Sequence, residues 1–268
     1  MKSSDHETLV SFEGVAKEFS KRGSVFRAVD GLDFSVAKGE RIAIVGETGS
    51  GKSTALNLLL GLTRPTEGAV SVLGLDPFER FNDLAGRIGI IFQTARLLDW
   101  RTALQNAAFG LEVMGVSKTS RESTARDWLT RLGLGDFMNA YPHELSGGMR
   151  QRVSIARTMA IAPEVLVADE AFSALDEMTA ASVRADLLAL LDEERMTTIF
   201  VTHSVPESIS LADRVLVFTR PGHVRAVVPV TELRAEGMSD MEIQDRVRDG
   251  LRDSGAGAQL GAWGSTSG

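Results

Sequence analysis

The spacing of hydrophobic positions changes along this chain. Up to Gly39, apolar and polar residues alternate, most cleanly in Leu32-Asp33-Phe34-Ser35-Val36, and Lys38-Gly39 reads as the turn that follows. A period of two puts successive side chains on opposite faces of a strand, so antiparallel strands are predicted there. Arg41-Ile42-Ala43-Ile44-Val45 is instead continuously apolar, as in a buried strand, and Ala55 to Leu62 reads as a buried helix. Val165-Leu166-Val167-Ala168, Thr198-Ile199-Phe200-Val201 and Val215-Leu216-Val217-Phe218 repeat the short continuous type, with helical patterns between them. That succession predicts an α/β fold with a parallel sheet covered on both faces. Residues 94–145 read as a mostly helical insertion. Thr119 and Glu122 have capping-box spacing there, and Ala125, Trp128, Leu129 and Leu132 follow at helical intervals. A packing helix is predicted near Glu177 to Glu194, with Val183, Leu187, Leu190 and Leu191 on one face. Beyond Val230 hydrophobicity thins, and residues 254–268, rich in Gly, Ser and Ala, are expected to form a flexible tail. No internal repeat is found.

Composition narrows the class without naming a chemistry. With 268 residues, 43% hydrophobic and 24% charged, the chain can bury one large core or two modest ones. No apolar run approaches the roughly 20 residues that cross a bilayer, and Met1-Lys2-Ser3-Ser4-Asp5-His6-Glu7 lacks the apolar stretch of a secretory signal. The expectation is a cytosolic protein whose membrane role, if any, runs through a partner. Zero cysteines exclude disulfides and thiolate metal sites. A formal net charge of -7 argues against a nucleic-acid partner, because neutralising many phosphates takes clustered Lys and Arg. Local anion binding remains open, since a backbone nest needs no net charge.

Three strings carry chemistry. Gly46-Glu47-Thr48-Gly49-Ser50-Gly51-Lys52-Ser53-Thr54 stands between a predicted strand and a predicted helix, the context of a phosphate-binding P-loop. Its glycines let successive backbone N–H groups turn toward one anionic centre, and the helix N-terminus adds partial positive charge. Lys52 would reach the β- and γ-phosphates, and Ser53 would place its hydroxyl on Mg²⁺. Asp169 and Glu170 end a predicted buried strand, where ligands of open α/β sheets bind. Asp169 would hold Mg²⁺ through water, and Glu170 would orient or deprotonate the attacking water; the bland alternative is an acidic helix cap. Leu145-Ser146-Gly147-Gly148-Met149-Arg150-Gln151-Arg152 joins a hydroxyl and two glycines to a helix start, with Val153, Ala156 and Met159 at apolar positions. It reads as a second anion site. The P-loop already cradles a triphosphate from one side, so the second site would face the γ-phosphate of a nucleotide bound by another subunit.

With these strings in this order, the chain resembles the ATPase subunits of ABC transporters over roughly residues 9 to 225. The order is the P-loop, Gln93, the string at 145–149, Asp169-Glu170, Ser173-Ala174-Leu175-Asp176, and His203. The resemblance implies a P-loop NTPase core from 9–93 and 146–230, with an N-terminal antiparallel β subdomain and a helical subdomain at 94–145, all within residues 1–253. It implies ATP and Mg²⁺, with Gln93 sensing the metal and the attacking water, and His203 contacting the γ-phosphate. Asp176 would couple the two sites across an interface; it also reads as the cap of the next helix. An aromatic stacks on adenine in this family. Phe19 occupies that place, with Phe26 as a rival and core packing as the alternative for either. Partners implied are a second copy of the chain, integral membrane permeases and, indirectly, a solute-binding protein, with the chain peripheral on the cytoplasmic face of the inner membrane. Ala171, where many importers carry proline, and Ser204, where aspartate is common, depart from the pattern without removing a catalytic group. Ser204 and Glu207 have capping-box spacing with Pro206 in the first turn, and are expected to start a helix.

A finer resemblance rests on shorter strings. Arg96-Leu97-Leu98-Asp99-Trp100-Arg101-Thr102, followed by Asn106 and Gly110-Leu111-Glu112, is similar to importers of nitrate, taurine and alkanesulfonates, as is Arg220-Pro221-Gly222. Another importer class, an exporter or a non-transport ATPase of the same family is the alternative. A P-loop kinase would carry no Leu145–Met149 string.

Overall fold

The computed structural model describes residues 7–21 and 24–252. Its first two strands, β1 (Thr8–Lys21) and β2 (Ser24–Ala37), pair antiparallel, with β4 (Glu67–Val72) on the other side of β1. The alternation read from the sequence is realised in β2: Leu32 and Val36 are fully buried and Phe34 stacks on Phe12 at 4.6 Å between ring centroids. Asp33, on the opposite parity, accepts a hydrogen bond from Gly14 N at 2.6 Å.

The second sheet has six strands. Its order is β5 (Ile88–Phe92), β6 (Val165–Asp169), β7 (Thr197–Thr202), β3 (Arg41–Gly46), β8 (Arg214–Thr219) and β9 (His223–Val228). All pairs are parallel except β8 with β9. Burial on both faces explains the continuous apolar runs: Ile42 and Ile44 point into one core, Ala43 and Val45 into the other. The first core, shared with the small sheet, receives α1 (Lys52–Leu59); α2 (Ala103–Ala107) and the short α3 (Phe109–Val113) follow, and the second core is covered mainly by α4 (Lys118–Arg131), α5 (Gly147–Ala160) and α6 (Glu177–Glu194), with α2 and α7 (Val205–Leu211) also contributing.

Helix α6 begins and ends at the predicted residues, and Val183, Leu187, Leu190 and Leu191 are its buried face. α1 ends three residues earlier than predicted, because Gly61 turns the chain with φ +68 directly against the Pro77 carbonyl, and Leu62 is left exposed. The cap of α4 also differs. Ser117, not Thr119, is the N-cap, its hydroxyl accepting from Ser120 N at 3.4 Å, while Glu122 pairs with Lys118 across one turn. Gly115 at φ +77 ends the preceding helix, so helical geometry resumes at 118 and leaves Thr119 inside it. The sequence reading missed α8 (Val230–Ala235) and α9 (Asp240–Arg252), whose Ile243 and Val247 are buried one turn apart. Two apolar residues among charges are a weak signal. The predicted flexible tail, 254–268, lies outside the described residues.

Candidate functional site

Parallel strands bring their C-terminal ends to one edge, and the candidate residues follow directly. Register sets Val45 opposite Thr202 and Asp169 opposite Val201, so the loop after β3, the carboxylates ending β6 and His203 after β7 lie side by side. The resulting cleft is lined by Thr48, Gly49, Gly51, Lys52, Ser53, Thr54, Asp169 and Glu170, with Phe26 and Ala28 of β2 on its flank.

The P-loop is shaped by contacts that only glycine tolerates. A Cβ on Gly46 would stand 2.5 Å from both the Phe218 carbonyl and Ser50 Oγ, and Gly49 and Gly51 adopt φ +81 and +90. α1 starts at Lys52 with no side-chain cap, which leaves its first N–H groups without an internal partner. Ser50 Oγ is also buried without a hydrogen-bond partner among the described residues. Unpaired donors gathered in one loop are what phosphate oxygens require. Lys52 Nζ donates to the carbonyls of Gly46 (2.6 Å) and Glu47 (3.0 Å). Burial pulls its pKa down, against the opposing pull of Glu170, Asp169 and Glu47.

Across the cleft, burial and the neighbouring Glu170 push the Asp169 carboxyl up, with Arg96 and Lys52 acting in the other direction. Glu170 has φ +48, a conformation that costs a side-chain-bearing residue on the order of 1–3 kcal/mol. It is held there from both sides: Glu170 N donates to Val201 O at 2.8 Å, and its own carbonyl accepts from Ser173 N (3.1 Å) and Ser173 Oγ (3.0 Å). The carboxylate then faces His203, with Oε1 3.5 Å from Nδ1. His203 is 62% exposed, which excludes a satisfied buried imidazole. A carboxylate and an imidazole side by side over a phosphate cradle can orient a water and move a proton.

Other candidates sit elsewhere. Phe19 and Phe26 are direct cross-strand partners, 42% and 63% exposed, so neither is core. Phe26 is the one that lines the cleft, while the Phe19 ring carries the Lys17 ammonium at 5.2 Å. Gln93 is exposed, one residue beyond the β5 position that pairs with Asp169. Ser146, also exposed, caps α5 by accepting from Met149 N at 3.2 Å; Gly148 is buried where a Cβ would come 2.5 Å from Thr179 Cγ2 of α6. None of 145–149 lines the cleft of the same chain. Asp176 caps α6 through Thr179 N at 3.0 Å, and hydrogen bonding from the Thr179 side chain, joined by that backbone bond, holds its carboxyl below the usual range.

Two positioning residues were missed by sequence reasoning. Gln151, buried in α5, donates to the carbonyls of Phe92 (3.0 Å) and Ala171 (2.8 Å), tying that helix to the chain next to both Gln93 and Glu170. Arg157 donates to Ala95 O and Arg96 O, each at 2.8 Å, and so fixes the loop that presents Arg96 near Asp169. The available signal was a polar residue on a helix face that is otherwise apolar.

A parallel sheet with a glycine-rich phosphate cradle and an acidic pair at its strand ends defines a P-loop nucleotide hydrolase. The chain belongs to the ABC transporter family, as an ATPase subunit: the family model described as ABC transporter matches residues 29–173. Among curated relatives, an uncharacterized ABC transporter ATP-binding protein of Methanocaldococcus jannaschii is 41% identical over 231 residues, 86% of this chain and 85% of its own length. A nitrate import ATP-binding protein of Synechocystis is 41% identical over 206 residues, covering 76% of each. A methionine import ATP-binding protein of Rhodococcus jostii is 38% identical over 239 residues, 88% of this chain and 70% of that one. A dimeric ATP-binding cassette solved in a post-hydrolysis state with ADP and Pi superimposes with a TM-score of 0.71 at 31% identity, over 82% of this chain and 98% of that chain.

Proposed function

We propose that two copies of this chain close around two ATP molecules, each held between the P-loop of one copy and Ser146, Gly147 and Gly148 of the other. The observation that carries this reading is the separation of the two anion sites. In one chain Ser146, the N-cap of α5, is exposed and stands outside the cleft of the P-loop, so its O–H donor can serve a nucleotide held elsewhere. The dimeric relative supports it.

Within each site, Lys52 and the N–H groups of 49–54 hold the phosphates, and Glu170 orients and deprotonates the attacking water while His203 stabilises charge on the γ-phosphate. Asp169, Ser53 and Gln93 would hold Mg²⁺. Ser53 and Asp169 line one cleft and offer oxygen donors, which suits an ion that characteristically keeps waters and phosphate oxygens among its ligands. When bound it neutralises phosphate charge. Phe26, the ring that lines the cleft, is favoured over its rival Phe19 as the adenine platform. ATP binding favours the closed pair, and loss of the γ-phosphate removes its bridge, so the pair opens.

Closure would drive a pair of permeases, with the chain peripheral on the cytoplasmic membrane face; among the described residues no helix is long and apolar enough to cross a bilayer. An apolar groove lined by Leu60, Leu62, Phe81, Leu84 and Ile88 is suited to a permease segment. Import of nitrate or a related small anion is supported by the nitrate relative and by the string around Trp100; the methionine relative favours a second reading, import of another solute. Stimulation of hydrolysis in the reconstituted complex by nitrate, taurine or methionine separates them.

Mixing two inactive variants tests the composite site. Ser146→Arg is expected to abolish hydrolysis while retaining ATP binding, Lys52→Ala to lose binding, and the mixture to recover activity because one of its two sites pairs an intact P-loop with an intact Ser146. A mixture as dead as its parents, with heterodimers present, overturns the arrangement.

A further inference from the structure

The loop after β8 has no part in the roles above, yet it lies against the phosphate cradle. Arg220 donates from its guanidinium to the carbonyl oxygen of Thr48. It also rests on Gly49: a Cβ there would stand 3.1 to 3.2 Å from Nη2, Cζ and Nε alike. The guanidinium therefore meets the loop through one hydrogen bond and through close packing on Gly49.

The segment carrying Arg220 is fastened. Gly222 N donates to Ala28 O at 3.1 Å, and Asp30 N donates to Gly222 O at 2.9 Å. His223 bridges the turn, with Nδ1 2.7 Å from Pro221 O and Nε2 3.1 Å from Thr219 Oγ1. Gly51 packs so closely that a Cβ would come within 2.8 Å of both Ala28 O and Gly222 Cα. Strand β2, the P-loop and residues 220–223 therefore form one unit, and Arg220 starts from a fixed base.

Thr48 C=O and Gly49 N–H belong to the same planar peptide unit. A cationic donor on the oxygen fixes the plane of that unit and polarises it, which strengthens the N–H on its other side as a donor. In a cradle built from backbone N–H groups, that effect is delivered to the bound phosphates.

We infer that Arg220 is a positioning residue of the P-loop, which orients and polarises the Thr48–Gly49 peptide for the phosphate chain of the nucleotide. It acts through the backbone and touches no phosphate itself. The inference rests on residues 46–54 being the phosphate cradle.

Calorimetric titration of the full chain with MgATP and with inorganic tripolyphosphate tests it. Loss of one hydrogen bond from a charged donor at an exposed position predicts a Kd about fivefold higher for both ligands in Arg220→Ala. Arg220→Lys, which restores a cationic donor, is expected to recover most of that loss, and Arg220→Gln, which keeps an uncharged N–H donor, to fall between. In turnover the change falls on KM for ATP more than on kcat. Unchanged affinity for both ligands overturns the inference. So does a loss for ATP with tripolyphosphate unaffected, which would put the guanidinium on the nucleoside. Should Arg220→Ala fail to fold, the Lys and Gln variants carry the same comparison. A wild-type chain that binds neither ligand sinks the cradle reading itself, whereas normal binding by wild type and variants alike sinks only the role of Arg220.

Discussion

Glu170 holds its carboxylate on a left-handed backbone, beside His203 and at the edge of a carboxylate that burial has already disfavoured as a charge. The three hydrogen bonds around it are to backbone atoms of Glu170 and leave the carboxylate to face His203. Glu170→Gln keeps this shape and removes only the basic oxygen. ATP affinity is expected to hold while turnover falls by about 10² or more, as for loss of one positioned acid–base group; single-turnover hydrolysis measures it. Asp169 makes a different prediction. Its folded pKa is raised above the unfolded one, so between those values the folded chain holds more protons, and the contribution of this group to stability declines as pH rises. Asp169→Asn, uncharged, should therefore melt higher than wild type at neutral pH without nucleotide, with the difference shrinking toward acid pH. A scanning-calorimetry series in pH would show the opposite trend if Asp169 were stabilised as a carboxylate.

Elements matter here through how they are tied together. α5 supplies the Ser146 cap at one end and Gln151 and Arg157 in its body, and these contacts reach the chain beside Gln93 and Glu170. Movement of this helix would therefore be felt at two candidate site residues. Gln151→Ala leaves two carbonyls without their donor, and a cost of about 1–3 kcal/mol is expected in urea unfolding, together with slower hydrolysis. A stability loss with normal turnover would show that the tie is purely structural. The string around Trp100 is built the same way. Asn106 donates to the carbonyls of Leu98 (3.1 Å), Arg101 (3.0 Å) and Thr102 (3.1 Å) and accepts from Leu98 N (2.8 Å), while Arg101 pairs with Glu112 at 2.7 Å. Those residues hold a loop from which Trp100 projects, 73% exposed.

At the scale of the whole molecule, exposed apolar side chains gather around one groove. Phe81, Phe78 and Leu62 are at least two-fifths exposed, and Met114 lies against Gly86 in its wall. An apolar patch of this kind marks an interaction surface. Phe81→Asp is expected to leave ATP affinity intact and to release the chain from membranes, read by sedimentation with vesicles containing the co-purifying permease. Retention of the variant on those vesicles would place the docking surface elsewhere.

The chain itself determined the class, the strand runs and the phosphate cradle, because each depends on neighbours in sequence: a glycine pattern, a period of two, a buried run ending in two carboxylates. Ser204 could be read as a cap for the same reason, and its hydroxyl does accept from Glu207 N at 3.3 Å. The reciprocal half of the capping box read from that spacing does not form, because Ser204 N donates to Thr202 Oγ1 and the Glu207 carboxylate is taken by Thr202 Oγ1 and Arg184. Tertiary structure decided the rest: that Phe26 rather than Phe19 lines the cleft, that Gln151 spans two strand ends, and that Arg220 reaches Thr48 from 172 residues away. Such contacts depend on which strand ends the sheet order sets side by side, and no local pattern of residues encodes that order.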